Sequence, residues 1–181
     1  MIVATVAALL LGTSTVSAHA AGQAAPAQHG QHAVPTPPAG TVAFYRLWNP
    51  TTEHHLYTTS WAEVLRSIQD LGFKYEGSVG YVYPTKVPGT VELYRLRSGA
   101  DHLYTASWEE MIEAIQHDGY KYEGVAAYVY PTKAAGTIEL YRLWHPIAQD
   151  HFYTQVWSEV IESIQNNGYK YEGVAAYIFP A

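Results

Sequence analysis

Between residues 41 and 181, apolar and polar positions follow two rhythms in turn, and the sequence of rhythms occurs three times. Short segments such as FYRLW, HLYTT and YVY are rich in aromatic and β-branched residues with partial alternation, the pattern of strands. Each HxYT segment is followed by a stretch of helical period. In the first copy its apolar set is Trp61, Val64, Leu65, Ile68 and Leu71. Trp61, Trp108 and Trp157 open these helices on the apolar side and are expected in the core. Ser60 with Glu63, and Ser107 with Glu110, fit a capping box, whereas Val156 leaves the third helix without one. Gly72, Gly119 and Gly168 follow the last turns, where a left-handed residue ends a helix with little strain. Each unit thus reads strand–strand–helix–strand, with the last strand broken at Gly77, Gly124 and Gly173.

The three units span residues 41–86, 87–133 and 134–181 and recur at 47 to 49 residues. They open with FYRLWNP, LYRLRSG and LYRLWHP and close with KYEGSVGYVYP, KYEGVAAYVYP and KYEGVAAYIFP. The middle copy is two residues shorter between Arg95 and His102, which marks a loop there. A unit of this size cannot bury its sheet and its helix alone, so neighbouring copies must cover it. The fold class expected is α+β, mainly antiparallel β, with three pseudo-symmetric repeats closed into one ring resembling a small three-bladed propeller. A β-trefoil-like closure is the alternative, disfavoured because its units lack a helix.

Ahead of the repeats, residues 1–20 carry an apolar run too short to span a bilayer, then the small-x-small pattern Ala18-His19-Ala20. They are expected to be a signal peptide. Residues 21–40 hold no charged residue and are expected to be a flexible linker of Ala, Gln, Pro and His. The protein expected is secreted and extracellular, with no membrane attachment after cleavage. The formal charge of −6 and the lack of any basic run disfavour nucleic acid and anionic membranes as partners. With no cysteine, the fold depends on burial, and each of its many rings removes on the order of 150–250 Å² from water when buried.

Several side chains recur with chemical meaning. His55, His102 and His151 invite a zinc reading if they converge; without paired ligand spacing, each is better explained by packing and a local hydrogen bond, and no metal or cofactor is expected. Arg46, Arg95 and Arg142, with Glu76, Glu123 and Glu172, suit structural ion pairs within or between repeats. Three equivalent glutamates do not supply the two unlike carboxyls of a glycosidase. Asp101 and His102, or Asp150 and His151, are strand neighbours that point to opposite faces, so neither pair orients itself. No nucleophile elbow or phosphate loop is present. Tyr and Trp can lay an apolar face on a sugar ring while their edges and neighbours bond its hydroxyls. Trp48 and Trp144 lie outside the helical stripe and lead the candidate ligand residues, with Asn49, His55, Tyr57, His102, Tyr104, His145, His151 and Tyr153.

The blocks YRL, H(F/L)YT, YEG and YVYP, repeated over nearly all of residues 41–180, resemble a secreted repeat family of unknown function found in bacteria and fungi. Its members often stand beside extracellular hydrolases. The resemblance implies secretion and a wall- or polysaccharide-associated setting, without an agreed activity. His54 departs from Asp101 and Asp150, and Arg97 departs from Trp48 and Trp144. The function expected is a non-catalytic module that binds polysaccharide or cell-wall glycan. A structural or protein-interaction repeat is the alternative, and a wall-polymer hydrolase the second.

Overall fold

The computed structural model describes residues 36–181. The expected signal peptide and most of the expected linker lie outside those residues. The first repeat contains β1 (Val42–Asn49), β2 (His54–Thr58), α1 (Trp61–Leu71) and β3 (Lys74–Val82). The second contains β4 (Val91–Ser98), β5 (Asp101–Thr105), α2 (Trp108–Gln116) and β6 (Lys121–Val129). The third contains β7 (Ile138–His145), β8 (Asp150–Thr154), α3 (Trp157–Asn166) and β9 (Lys170–Ile178). Each repeat forms its own three-stranded antiparallel sheet with the first strand in the centre, in the orders β2-β1-β3, β5-β4-β6 and β8-β7-β9. The strands form three separate sheets and no closed barrel, and each repeat carries a helix, so the trefoil-like alternative does not hold.

The helix boundaries follow the local chemistry. Ser60 and Ser107 accept the N–H groups of Glu63 and Glu110, whereas Val156 provides no side-chain cap. Gly72 takes φ 76°, and Phe73 N–H reaches back to Ser67 O at 3.1 Å, closing the helix end. The third strand of each repeat is not broken as the glycines suggested. In the register of β1 with β3, Arg46 faces Gly77 and Leu47 faces Tyr75, so Glu76 is an extra, bulged residue. Gly77, at φ 113°, permits the bulge, which turns the Glu76 carboxylate toward Arg46.

The opening tryptophans of the helices are not in the core. Trp61, Trp108 and Trp157 are about half exposed, at 48%, 56% and 51%. The helix instead buries Val64 and Ser67 in the first repeat and their counterparts in the others. The reason is that each sheet commits its inner side to the other repeats, which leaves the helix a narrow footprint. Trp61 packs edge-on against Tyr45 and Tyr75 at the margin of its own sheet.

One apolar cluster draws on all three repeats, around Phe44, Leu93 and Leu140 from the central strands. A smaller cluster under each helix, such as Leu47, Leu56 and Val64, completes the core. At the centre, Tyr57, Tyr104 and Tyr153 have no more than 1% of their surface exposed. Each hydroxyl donates to a carbonyl and accepts an N–H from another repeat: Tyr57 on Tyr153, Tyr104 on Tyr57, and Tyr153 on Tyr104. The six bonds are 2.6–3.0 Å long and form a closed cycle. Bridges Tyr83↔Tyr128, Tyr130↔Tyr177 and Tyr81↔Phe179 link the three sheets in a second cycle. Among the described residues no helix is long and apolar enough to cross a membrane.

Candidate functional site

The repeats meet in pairs, and each junction opens into a cleft built from equivalent positions. Arg46, Trp48, His55 and Glu76 of the first repeat face Phe152, Glu159 and Tyr169 of the third across about 610 Å³. Arg142, Trp144, His151 and Glu172 of the third face Leu103, Glu110 and Tyr120 of the second across about 720 Å³. Arg95, Arg97, His102 and Glu123 of the second face Leu56, Glu63 and Phe73 of the first across about 420 Å³.

Adjacent Asp and His do point apart, yet each Asp is used by a different repeat. Asp150 accepts both the backbone N–H of His55, at 2.8 Å, and its Nδ1, at 2.6 Å. Asp101 holds His151 in the same way, with both contacts at 2.8 Å. The hydroxyls of Tyr169 and Tyr120 donate to these carboxylates at 2.7 and 2.5 Å. Both aspartates are buried, and burial alone would push Asp101 up; the bonds and charge from His151 and Tyr120 outweigh it and hold the carboxyl below its usual range. In return, burial and the neighbouring carboxylate push the Tyr120 and Tyr169 hydroxyls up.

On the far side of each imidazole, Nε2 of His55 and of His151 lies 3.9 and 3.7 Å from Glu76 and Glu172. Trp48 packs against His55 with centroids 4.6 Å apart and the planes tilted by 43°, and Trp144 packs against His151 at 4.5 Å and 42°. The outcome is a tryptophan packed at a tilt against a histidine whose tautomer and rotation are fixed from the neighbouring repeat.

The arginines tie the clefts shut at their base. Arg46 makes a bidentate pair with Glu159 at 3.0 and 3.2 Å; Arg142 pairs with Glu110 at 2.9 and 2.7 Å. Arg95 Nη1 meets both oxygens of Glu63 at 3.0 Å. These acids belong to the first helical turn of a different repeat, so Glu63 and Glu110 serve the cap region and the junction together. Within each repeat the Nε of the same arginine lies 2.8–2.9 Å from Glu76, Glu123 or Glu172. For Arg46 this is an ionic contact off the hydrogen-bonding direction. Burial would lower the arginine pKa values, but these partners raise them, so all three stay charged.

The candidate ligand residues divide accordingly. Trp48, Trp144, His55, His102, His145 and His151 reach the clefts, and Asn49 lies at the edge of one. Tyr57, Tyr104 and Tyr153 do not: they are spent on the central cycle, and no ring face is left for a ligand. Asn49 is buried, accepting the N–H groups of Thr51 and Thr52 and donating to Leu71 O at 2.7 Å, which fixes its turn. His145 accepts the Ala148 N–H at 2.8 Å in the matching turn. The three histidines line three different clefts, and no group of three or more side chains suited to a metal occurs among the described residues.

Sequence reading missed the partners supplied across junctions: Asp101, Asp150, Tyr120, Tyr169, Glu63, Glu110 and Glu159. One signal was available. The first repeat departs at two positions together, with His54 for Asp and Phe73 for Tyr, and the second repeat departs with Arg97 for Trp. Phe73 and Arg97 line one cleft, between the first and second repeats, and His54 holds the chain position that supplies the carboxylate at the other two junctions. There His102 Nδ1 is buried without a hydrogen-bond partner, and burial lowers the pKa of the ring. His54 turns away, with its Nδ1 on Thr52 O and its Nε2 3.1 Å from Gln149 O.

Three junctions of one design, two intact and one altered, describe a repeat module whose chemistry sits between its units. The chain belongs to a family of domains of unknown function (DUF5648), whose model matches residues 19–129 and 97–179. Neither the comparison with curated proteins nor that with solved structures finds a match.

Proposed function

We propose that this protein is an exported, non-catalytic module that binds polysaccharide or cell-wall glycan in the clefts between its repeats. In this reading residues 1–20 direct secretion, and the three repeats close about a pseudo-threefold axis as a small three-bladed ring. One observation carries the binding assignment: two matched clefts each present a tryptophan packed beside a histidine that a neighbouring repeat holds in place. An indole face suits the apolar side of a sugar ring, and the carboxylates and arginine beside it suit hydroxyl groups. Holding the polar groups by bonds across the junction lowers the cost of ordering them on binding. Two such sites on one module gain by acting on one polymer, even when each alone binds at about −4 kcal/mol.

Glu76, Glu123 and Glu172 each pair with an arginine in matched surroundings, so none is set apart as the acid of an acid–base pair. Depletion of the folded protein by insoluble chitin, peptidoglycan and glucans tests the reading, with Trp48→Ala and Trp144→Ala as controls.

A second reading has an observation of its own. Each helix leaves an apolar stripe half exposed, as in Trp61, Leu65 and Ile68. A contiguous surface of that kind favours a protein partner. Substituting Leu65 and Ile68 together by Ser would then abolish that contact and leave glycan retention unchanged.

A further inference from the structure

We propose that the cleft between the first and second repeats takes the carboxylate of an acidic sugar, seated on His102 with Arg97 and Arg66 at its rim. This deepens the glycan reading and rests on it. The other two clefts supply the template. In each, a carboxylate from the neighbouring repeat fills the position off Nδ1 and also accepts the backbone N–H of the same histidine. At the third junction the chain places His54 where that carboxylate belongs, and His54 bonds instead to Thr52 O and Gln149 O. The side chain of His102 is only 11% exposed, and its Nδ1 has no hydrogen-bond partner among the described residues. A buried polar nitrogen without a partner is costly to keep, and a carboxylate is the group that the fold itself puts there twice.

The charge of the cleft agrees. Arg97 stands in the place of tryptophan, is 55% exposed, and has its Nε 3.3 Å from Glu123. Arg66 on α1 lines the same cleft and forms no ion pair among the described residues. With Arg95, three guanidinium groups face Glu63 and Glu123. The cleft between the second and third repeats is the reverse, with Arg142 against a majority of carboxylates that includes Asp101, Glu110, Glu113 and Glu172. An anionic sugar is therefore drawn to one junction and repelled from another. Thr52, in the exposed turn ahead of His54, also lines the cleft.

Seating the carboxylate changes the protonation of His102. Its Nε2 lies 3.6 Å from Glu123, so a carboxylate seated at Nδ1 adds a second negative group beside the ring and favours its protonation. The charged groups around it are Glu123 on β6, Arg95 and Arg97 on β4, Asp101 on its own strand and Glu63 on α1. Binding takes up a proton and tightens as pH falls from 8 to 6.

The test is a titration with tetragalacturonate and its methyl ester, followed by the imidazole NMR signals of His102 and by calorimetry. The acid is expected to shift those signals and to bind at least tenfold more tightly than the ester. His54→Asp places the missing carboxylate within the chain; it is expected to unfold no earlier than the parent and to lose at least tenfold in affinity for the acid. Should that variant fail to fold, Arg97→Ala, at an exposed site, is expected to lose threefold or more. Equal affinity for acid and ester, unshifted His102 signals, or unchanged affinity in the folded variants overturns the proposal. Retention on neutral polymers through Trp48 and Trp144 is read separately, so loss of the wider glycan reading is distinguishable from loss of this one.

Discussion

His55 takes its orienting carboxylate from Asp150, 95 residues further along the chain, at 2.6 Å. The same carboxylate holds the His55 backbone and the Tyr169 hydroxyl, so one buried side chain joins the first repeat to the third. Folding of either repeat alone leaves this site incomplete, which makes the junction both the source of cooperativity and the frame for a ligand.

Asp150→Ala strips three donors of their acceptor in a buried place. It is expected to cost about 3 kcal/mol, because the groups left behind stay buried without partners. Urea unfolding measures this; a loss within experimental error would show that the carboxylate is dispensable.

The tyrosine cycle makes a second demand on stability. Tyr104→Phe removes the acceptor of Tyr57 N–H and the donor to Tyr57 O, both buried. A destabilisation of about 2 kcal/mol is expected, with little change in volume. Tyr57→Phe and Tyr153→Phe should cost similar amounts, since each breaks the equivalent pair of bonds. Widely different values would contradict a symmetric cycle.

Acid should weaken the fold in two stages. Burial lowers the pKa of His102 below its ordinary 6.5, so at pH values under that the unfolded chain binds more protons and stability falls as pH falls. Burial opposes ionisation of Glu63, Glu110 and Glu159 as well, but their arginine partners outweigh it and hold them below 4.5. Their contribution, with that of Asp101, is complete above the ordinary carboxyl range and is lost as pH drops through the folded values. A shallow decline from pH 7 to 5 followed by a steeper one below 4.5 is expected in the urea midpoint. A midpoint that rises between pH 7 and 5 contradicts this.

Rebuilding the altered junction should strengthen the protein. His54→Asp with Phe73→Tyr restores the residues found at Asp101 with Tyr120 and at Asp150 with Tyr169. A gain of about 1–2 kcal/mol is expected, more than the sum of the single changes because the hydroxyl and the carboxylate need each other. Four-way comparison of unfolding free energies checks the coupling. The first acid stage should also vanish, since a carboxylate beside His102 raises its pKa.

The repeats, the strand–strand–helix–strand order and two helix caps were legible because each depends on residues close in sequence. The central tyrosines were not. In β8, all five residues from Asp150 to Thr154 are buried, so alternation no longer separates core from surface. That strand lies between its own sheet and the other repeats, a placement that local pattern does not encode. The half-exposed Trp61 follows the converse rule: its helical stripe is apolar, but of that helix only Val64 and Ser67 are buried. The Asp–His pairs escaped notice because strand geometry rules out pairing between neighbours and says nothing about the next repeat.

Retention on wall polymers tests the central claim most directly. The parent protein should be depleted by at least one of chitin, peptidoglycan or glucan. The combined Trp48→Ala and Trp144→Ala variant should stay in solution with its unfolding midpoint nearly unchanged. A folded parent that no polymer retains, or a double variant retained as well as the parent, contradicts the account.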